Sequence, residues 1–295
     1  MKISESSIPE PGHDTAGDAG ADPGRLPRIT DIAVVRITGP EAEAFAQSQF
    51  MSDVSGLPVG HWHWSGWLSA KGRVQALFAL ARPAPGDLLL LLLDQPADAF
   101  CAALGRFVLR RRVRVAPAPE LAVHAAFDGD AAWAINAEPD ALRHGPQGSL
   151  GLDCSGDGGS RIGWISAHGG ANRSRAELAE DAAATARWRA EDLRHGLPRA
   201  KTTGELAFTP HMLSLDRLKA FSVRKGCYPG QEIVARTHFI GQAKRQAWWL
   251  EGAALASAQP VHSPDGRVIG EVVAATGEGR GALAVLALET AGPVG

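Results

Sequence analysis

The chain has 295 residues, 45% of them hydrophobic and 21% charged, which is enough for one large core or for two or three packed lobes. Its formal net charge of -2 excludes a global field that would draw it onto nucleic acid or an anionic membrane, so any such contact needs a local basic patch. Its three cysteines, Cys101, Cys154 and Cys227, are far apart with no Cys-x-x-Cys pair, which argues against a disulfide framework or a thiolate zinc site and fits a reducing, cytoplasmic setting.

Residues 1–29 mix Gly, Pro, Ser and Asp with almost no large apolar side chains. Such a segment buries too little surface to offset its ordering entropy, and a disordered tail is predicted. IAVVRITG (32–39) reads as a strand ending in a turn, and Pro40 opens a helix over EAEAFAQSQFMSDV. WHWSGWLSAKGRVQALFALAR (62–82) reads as two strands joined at Ala70–Lys71–Gly72. The longest strongly apolar run, Leu88 to Leu93, is far short of the ~20 residues that span a bilayer. It is predicted as a buried strand, and no membrane partner is expected. A helix over Gln95–Val108 and a basic strand, RRRVRVAP, follow. Strand, helix, hairpin, strand, helix, strand is the order of a mixed α+β lobe.

A second lobe, divided from the first near 118, runs from Leu121 to Ala167. Its short strands are LAVHAAF, AAWAI and RIGWI, broken by a glycine-rich stretch at 151–160. AELAEDAAATARWRAEDLRHG (176–196) is a helical pattern stopped by Gly196 and Pro198. Together 30–244 are expected to form one two-lobed domain. The segment 245–295 holds three alternating strands around Pro264–Asp265–Gly266 and is expected to be a small antiparallel barrel or sheet.

The stretch KGCYPGQE (225–232) places a cysteine among turn-formers and charges. Gly226, Pro229 and Gly230 bracket the thiol, and Arg224 and Lys225 precede it; neighbouring cations stabilise a thiolate. If QEIVAR opens a helix, Glu232 falls in its first turn and Arg236 lies one turn on, an i,i+4 pair. An activated, accessible cysteine and a plain turn residue both fit. His211 and His238 are candidate partner bases. The arginines at 106, 110, 111, 112 and 114 read as a solvated face or an anion patch, with Lys244–Arg245 a second basic site. Trp62, Trp64 and Trp67 cluster, and flat rings beside a cavity suit a planar ligand, although packed core is the plainer use of tryptophan. There is no P-loop, no HExxH and no clustered Cys/His pattern, so no metal ligands are expected. GEGRG at 277–281 is not placed between a strand and a helix as a dinucleotide fingerprint requires.

KGCYPGQEIVAR resembles the K-G-C-[YF]-x-G-Q-E motif of the YgfZ-type folate-binding proteins, relatives by fold of the glycine-cleavage T-protein (aminomethyltransferase). The likeness extends to ITGPEAEAFAQSQFMSDVS (37–55), LSAKGRV (68–74), WRAEDLRHGLP (188–198), FTPHMLSLDRL (208–218) and GQAKRQAWWL (241–250). The resemblance implies an α+β, T-protein-like, multi-lobed folate-binding fold with a small C-terminal antiparallel β-barrel. It implies an auxiliary protein for assembly or repair of iron–sulfur proteins, supporting tRNA methylthiolation, with tetrahydrofolate or a derivative as cofactor. The partners implied are iron–sulfur client enzymes such as tRNA methylthiotransferases, with a weak tRNA contact. Carried over by position, Cys227 is the reactive residue and Lys225 its companion; Gly226, Tyr228, Gly230, Gln231, Glu232 and Arg236 complete the motif. Trp188 matches an aromatic used against folate, Ile32 stands where the family has a second one, and Arg245 is a further folate-side position. Arg194–His195 stand where the T-protein has a carboxylate, which argues against aminomethyl transfer. The alternatives are a tetrahydrofolate-dependent aminomethyltransferase-like enzyme and a non-enzymatic tRNA- or protein-binding adaptor.

Overall fold

The leucine run shows how the chain is layered. In the computed structural model, which describes residues 23–93, 95–127, 138, 140–167, 174–199, 207–241 and 243–288, this run is a strand buried on both faces. Side chains alternate across a strand. Leu88, Leu90 and Leu92 enter one core cluster, while Leu89, Leu91 and Leu93 enter another. A run with no polar alternation is therefore what a strand with protein on both sides requires. Each leucine contributes about 2 kcal/mol relative to exposure.

The elements run β1 (Ile32–Thr38), α1 (Ala42–Gln49), β2 (His61–Leu68), β3 (Val74–Ala84), β4 (Asp87–Leu93), α2 (Ala97–Gly105) and β5 (Arg114–Pro117). They form an antiparallel sheet of order β2-β3-β4-β1-β5. Next come β6 (Leu121–Phe127), β7 (Arg143–His144), β8 (Leu150–Asp153) and β9 (Arg161–Ala167), in the order β6-β9-β8-β7. α3 (Arg175–Arg194) and α4 (Gln231–Phe239) precede the last sheet. That sheet has β10 (Arg245–Glu251), β11 (Pro260–His262), β12 (Val268–Ala275) and β13 (Gly281–Ala287), in the order β10-β13-β12-β11. α1 and α2 cover one face of the first sheet through Phe45, Ala46, Phe100 and Leu104. The opposite face shares a core with Val123, Trp188, Leu213, Tyr228 and Val285, so elements from the whole chain meet there.

Several sequence expectations are corrected. Structure begins at Pro23, within the stretch expected as a tail: Ile29 is fully buried and its amide donates to Val123 O at 2.8 Å. Residues 1–22 of that expected tail lie outside the described residues. α1 ends at Gln49, five residues early. Gln47 Oε1 accepts from the amides of Val54 and Ser55, and its Nε2 donates to Asp53, so the side chain holds a turn in place of further helix. The glycine-rich stretch contributes a strand, β8. Its glycines 156 and 158 let the loop press against the His195 ring and the Glu191 backbone at the end of α3. The expected strand AAWAI lies outside the described residues. The C-terminal sheet has four strands, and among the described residues its edges β10 and β11 are not joined, so it is an open antiparallel sheet. α3 starts at a capping box between Ser174 and Glu177 and stops before Gly196 at φ +81°. No helix among the described residues is long and apolar enough to cross a membrane.

Candidate functional site

The cysteine stretch is a loop leading into α4, and its neighbours are tied down on every side. Ser222 N donates to Met51 O at 2.8 Å, and Ser222 Oγ accepts from the amides of Arg224 and Lys225. Tyr228 is buried and its hydroxyl donates to Ser222 O at 3.1 Å; burial pushes that phenol up to about 12. Gln231 Nε2 donates to Lys225 O at 3.1 Å, closing the loop from its far end. Gly230 caps α4 at φ +77° and packs against Gly72 of the β2–β3 turn, itself at φ +70°. A Cβ on Gly230 would lie 2.6 Å from Ser69 O and 2.7 Å from the Gly72 Cα. Two separate sequence motifs, LSAKGRV and KGCYPGQE, thus meet backbone to backbone at glycines.

Lys225 does not face the thiol's solvent side. Its ammonium is buried and donates to Phe50 O at 2.6 Å and Ser52 O at 2.8 Å, 4.9 Å from the centre of the Tyr228 ring. Burial lowers its pKa to about 8, and Asp53 opposes that shift. Cys227 itself is exposed, as is Gly226 beside it. The other thiols differ: burial, reinforced by Asp98, pushes Cys101 up to about 11. Burial also raises Cys154 to about 12, with Arg161 opposing. Cys227 is therefore the accessible thiol of the three.

Ser52 joins this loop to a cavity. Its hydroxyl lies 2.9 Å from His63 Nε2 and donates to Ser65 Oγ at 2.6 Å, while its carbonyl holds Lys225. Burial lowers the His63 pKa to about 4; Asp53 opposes the shift and Lys225 adds to it. The imidazole is neutral at physiological pH. Asp53 and His63 line a cavity of about 500 Å³ together with Trp62 and Trp64, whose rings stand edge to face at 5.3 Å. Cys154, His195, Arg217 and Lys219 close the other side. Trp67 is separated from the other two by strand alternation and packs against Phe100 and Phe107 on the opposite face. The Trp62 indole N–H is buried with no hydrogen-bond partner among the described residues.

The remaining predicted positions scatter. Trp188 is 2% exposed; its ring lies 4.7 Å from the Arg161 guanidinium and 6.1 Å from the Phe127 ring. It is a core residue in this conformation and lines neither this cavity nor a larger groove of about 780 Å³ between α3 and the C-terminal sheet. Ile32 is also core, paired with Leu93. Arg245 is exposed at the start of β10, paired in register with Ala287. Glu232 and Arg236 are exposed on α4, and no ion pair joins them among the described residues. His211 and His238 lie 6.1 Å apart, with His211 against Phe221; neither is bonded to the thiol. Sequence reading missed Ser52 and His63. His63 sits between Trp62 and Trp64 in a tryptophan-rich strand, and alternation alone would set it on the face opposite to theirs. No cluster of three or more metal-ligating side chains exists among the described residues.

No protein-family model matches the chain. It is similar to tRNA-modifying protein YgfZ of Klebsiella pneumoniae (strain 342), 29% identical over 236 residues, 78% of this chain and 72% of that one. It is likewise similar to tRNA-modifying protein YgfZ of Cronobacter sakazakii (strain ATCC BAA-894), 28% identical over 79% of this chain and 72% of that one. The protein of the same name from Serratia proteamaculans (strain 568) is 28% identical over 77% and 70%. Among solved structures, the glycine cleavage system aminomethyltransferase T from Bartonella henselae superimposes with a TM-score of 0.69 at 16% identity, covering 90% of this chain and 78% of that one. At that identity the likeness is one of fold.

Proposed function

We propose that this chain, a relative of the YgfZ proteins with the fold of the glycine-cleavage T-protein, is a folate-binding auxiliary protein that supports tRNA modification through the upkeep of iron–sulfur enzymes, with Cys227 as its working thiol. The observation that carries this reading is the Ser52 junction. One residue connects the loop that presents an exposed cysteine to the wall of a ligand-sized cavity.

The cavity's residues fit a folate. A volume of about 500 Å³ lies within the ordinary range for small-molecule sites. Trp62 and Trp64 offer ring surface, and the buried Trp62 N–H is a donor awaiting an acceptor. Asp53 and Asp153 are acceptors suited to the amino and ring N–H groups of a pterin, and Lys219 is a cation suited to a glutamate carboxylate. A bound tetrahydrofolate would supply a carrier for a one-carbon unit. The chain's own part is to hold His63 neutral, to keep the Lys225 ammonium on two backbone carbonyls, and to present Cys227 to solvent. An aminomethyl transfer of the T-protein kind is the weaker reading. At the end of α3, Arg194 lies over Trp249 and 3.8 Å from Glu251, and His195 Nδ1 accepts the Asp157 amide, so neither supplies a carboxylate.

A thermal-shift titration with tetrahydrofolate tests the site. A ligand that binds only the folded state raises its stability. The wild-type chain is expected to gain melting temperature in a dose-dependent way, and Trp64→Ala to lose that gain. Complementation of a strain lacking its own relative, scored by tRNA methylthiolation, tests the thiol; Cys227→Ala is expected to fail. No shift in the wild type overturns the folate reading, and full rescue by Cys227→Ala overturns the thiol reading.

A further inference from the structure

We propose that the turn joining α2 to β5 is a contact surface for single-stranded or looped RNA, with arginines on phosphates and Phe107 as the platform for a base. Five arginines fall within Arg106–Arg114, on a chain whose formal net charge is only -2. Arg112 is committed: its amide donates to Glu41 Oε2 at 2.7 Å and its side chain lies 3.5 Å from the same carboxylate. Arg111 is half-buried over the Phe45 ring at 5.9 Å. Arg106, Arg110 and Arg114 are exposed and form no ion pair among the described residues. Three guanidinium groups without an ion pair therefore lie along this turn and at the first residue of β5.

The turn is preformed. The amides of Phe107, Val108 and Arg111 donate to Leu104 O, Gly105 O and Val108 O at 2.9–3.1 Å. Arg110 holds φ +57°, the left-handed region, which reverses the chain beside its neighbours. Phe107 is 46% exposed, and its ring is braced edge-on by Trp67 at 5.8 Å, so an aromatic surface is held in place among the cations. Fixed aromatic rings next to planar guanidinium groups suit unstacked bases and their phosphates. A membrane surface is less suited. Apart from Phe107 only Leu109, 79% exposed, projects here, without the amphipathic helix that interfacial binding uses. The surface stands on its own charge and exposure and does not depend on a folate.

Fluorescence anisotropy with the full chain tests this. The probes are a short single-stranded RNA, a duplex of the same sequence, polyglutamate and anionic phosphatidylserine vesicles, each across a salt series. The wild type is expected to prefer the single strand, with affinity falling as salt rises. Each phosphate contact on a single strand contributes about 0.7 to the log–log slope, so Arg106→Ala/Arg110→Ala/Arg114→Ala is expected to reduce the slope by roughly 2. Phe107→Leu is expected to weaken single-strand binding roughly tenfold and leave the slope unchanged. Arg267→Ala, in the turn between β11 and β12, serves as the control and is expected to bind as wild type. Melting curves establish that each variant is folded. An unchanged slope in the triple variant, equal binding of single strand and duplex, or tighter binding to polyglutamate or vesicles overturns the proposal. The triple variant is expected to keep its tetrahydrofolate-induced thermal shift, so the two readings fail separately.

Discussion

His63 illustrates how one side chain's surroundings set a pH response. Burial holds its folded pKa at about 4, against 6.5 for the free group. Below pH 6.5 the unfolded chain takes up a proton that the folded chain refuses until about pH 4. His63 therefore makes stability fall as pH drops through that window, by at most about 3 kcal/mol. Denaturant unfolding between pH 4 and pH 7 is expected to show this slope in the wild type and a flatter one in His63→Gln. Equal slopes would remove His63 from the account. Lys225 acts at the other end of the scale: with its folded pKa near 8 and the free value at 10.5, its share of stability rises between those limits. From the sequence Lys225 looked like a cation for the thiol. In the fold its charge serves the carbonyls of Phe50 and Ser52, because the loop turns the lysine inward and Cys227 outward.

Among the elements, α4 depends on the residue that caps its start. Gly230 adopts a left-handed φ of +77° while its Cα sits against the β2–β3 turn. An alanine there meets a conformational cost of about 1–2 kcal/mol before any clash. Gly230→Ala is expected to lower the denaturation midpoint by at least that much and to loosen the cysteine loop, read as faster alkylation of Cys227 and faster cleavage of 222–230. A variant within about 0.5 kcal/mol of wild type would show the contact to be slack. Elements such as β4, α3 and α4 were legible in the sequence because their signals are local: a continuous apolar run, a cap, and a Pro–Gly start. The early stop of α1 was not, because Gln47 reaches six to eight residues on to bond Asp53, Val54 and Ser55. The strand β8 was hidden by Gly151, which fits against the Trp164 ring only once β9 is in place.

Across the whole molecule, a buried ionic network binds distant segments. Asp192 on α3 is fully buried, 2.7 Å from Arg161 of β9 and 3.1 Å from Arg199. Arg199 reaches Asp31, just before β1, at 2.5 Å. Removing one member of a buried set strands the others' charge, at a cost of about 3–5 kcal/mol. Asp192→Ala is expected to lose that much in equilibrium unfolding, and Asp192→Leu/Arg199→Met to recover part of it. A loss near zero would mean that solvent or rearrangement compensates. No pattern in the sequence pairs residues 31, 161, 192 and 199, since ion pairs across lobes have no period.

The sequence alone determined the strands and helices with strong local periodicity, the antiparallel character of the C-terminal segment, and the resemblance to the YgfZ proteins through KGCYPGQE. Those features depend on neighbours a few residues apart, whose spacing is visible in one dimension. Only the tertiary structure decided that Trp188 and Ile32 are core, that Lys225 is buried on backbone carbonyls, and that Ser52 stands between the cysteine loop and a cavity walled by Asp53, His63 and two tryptophans. Burial and desolvation depend on which surfaces meet, and that is set by packing among segments more than a hundred residues apart.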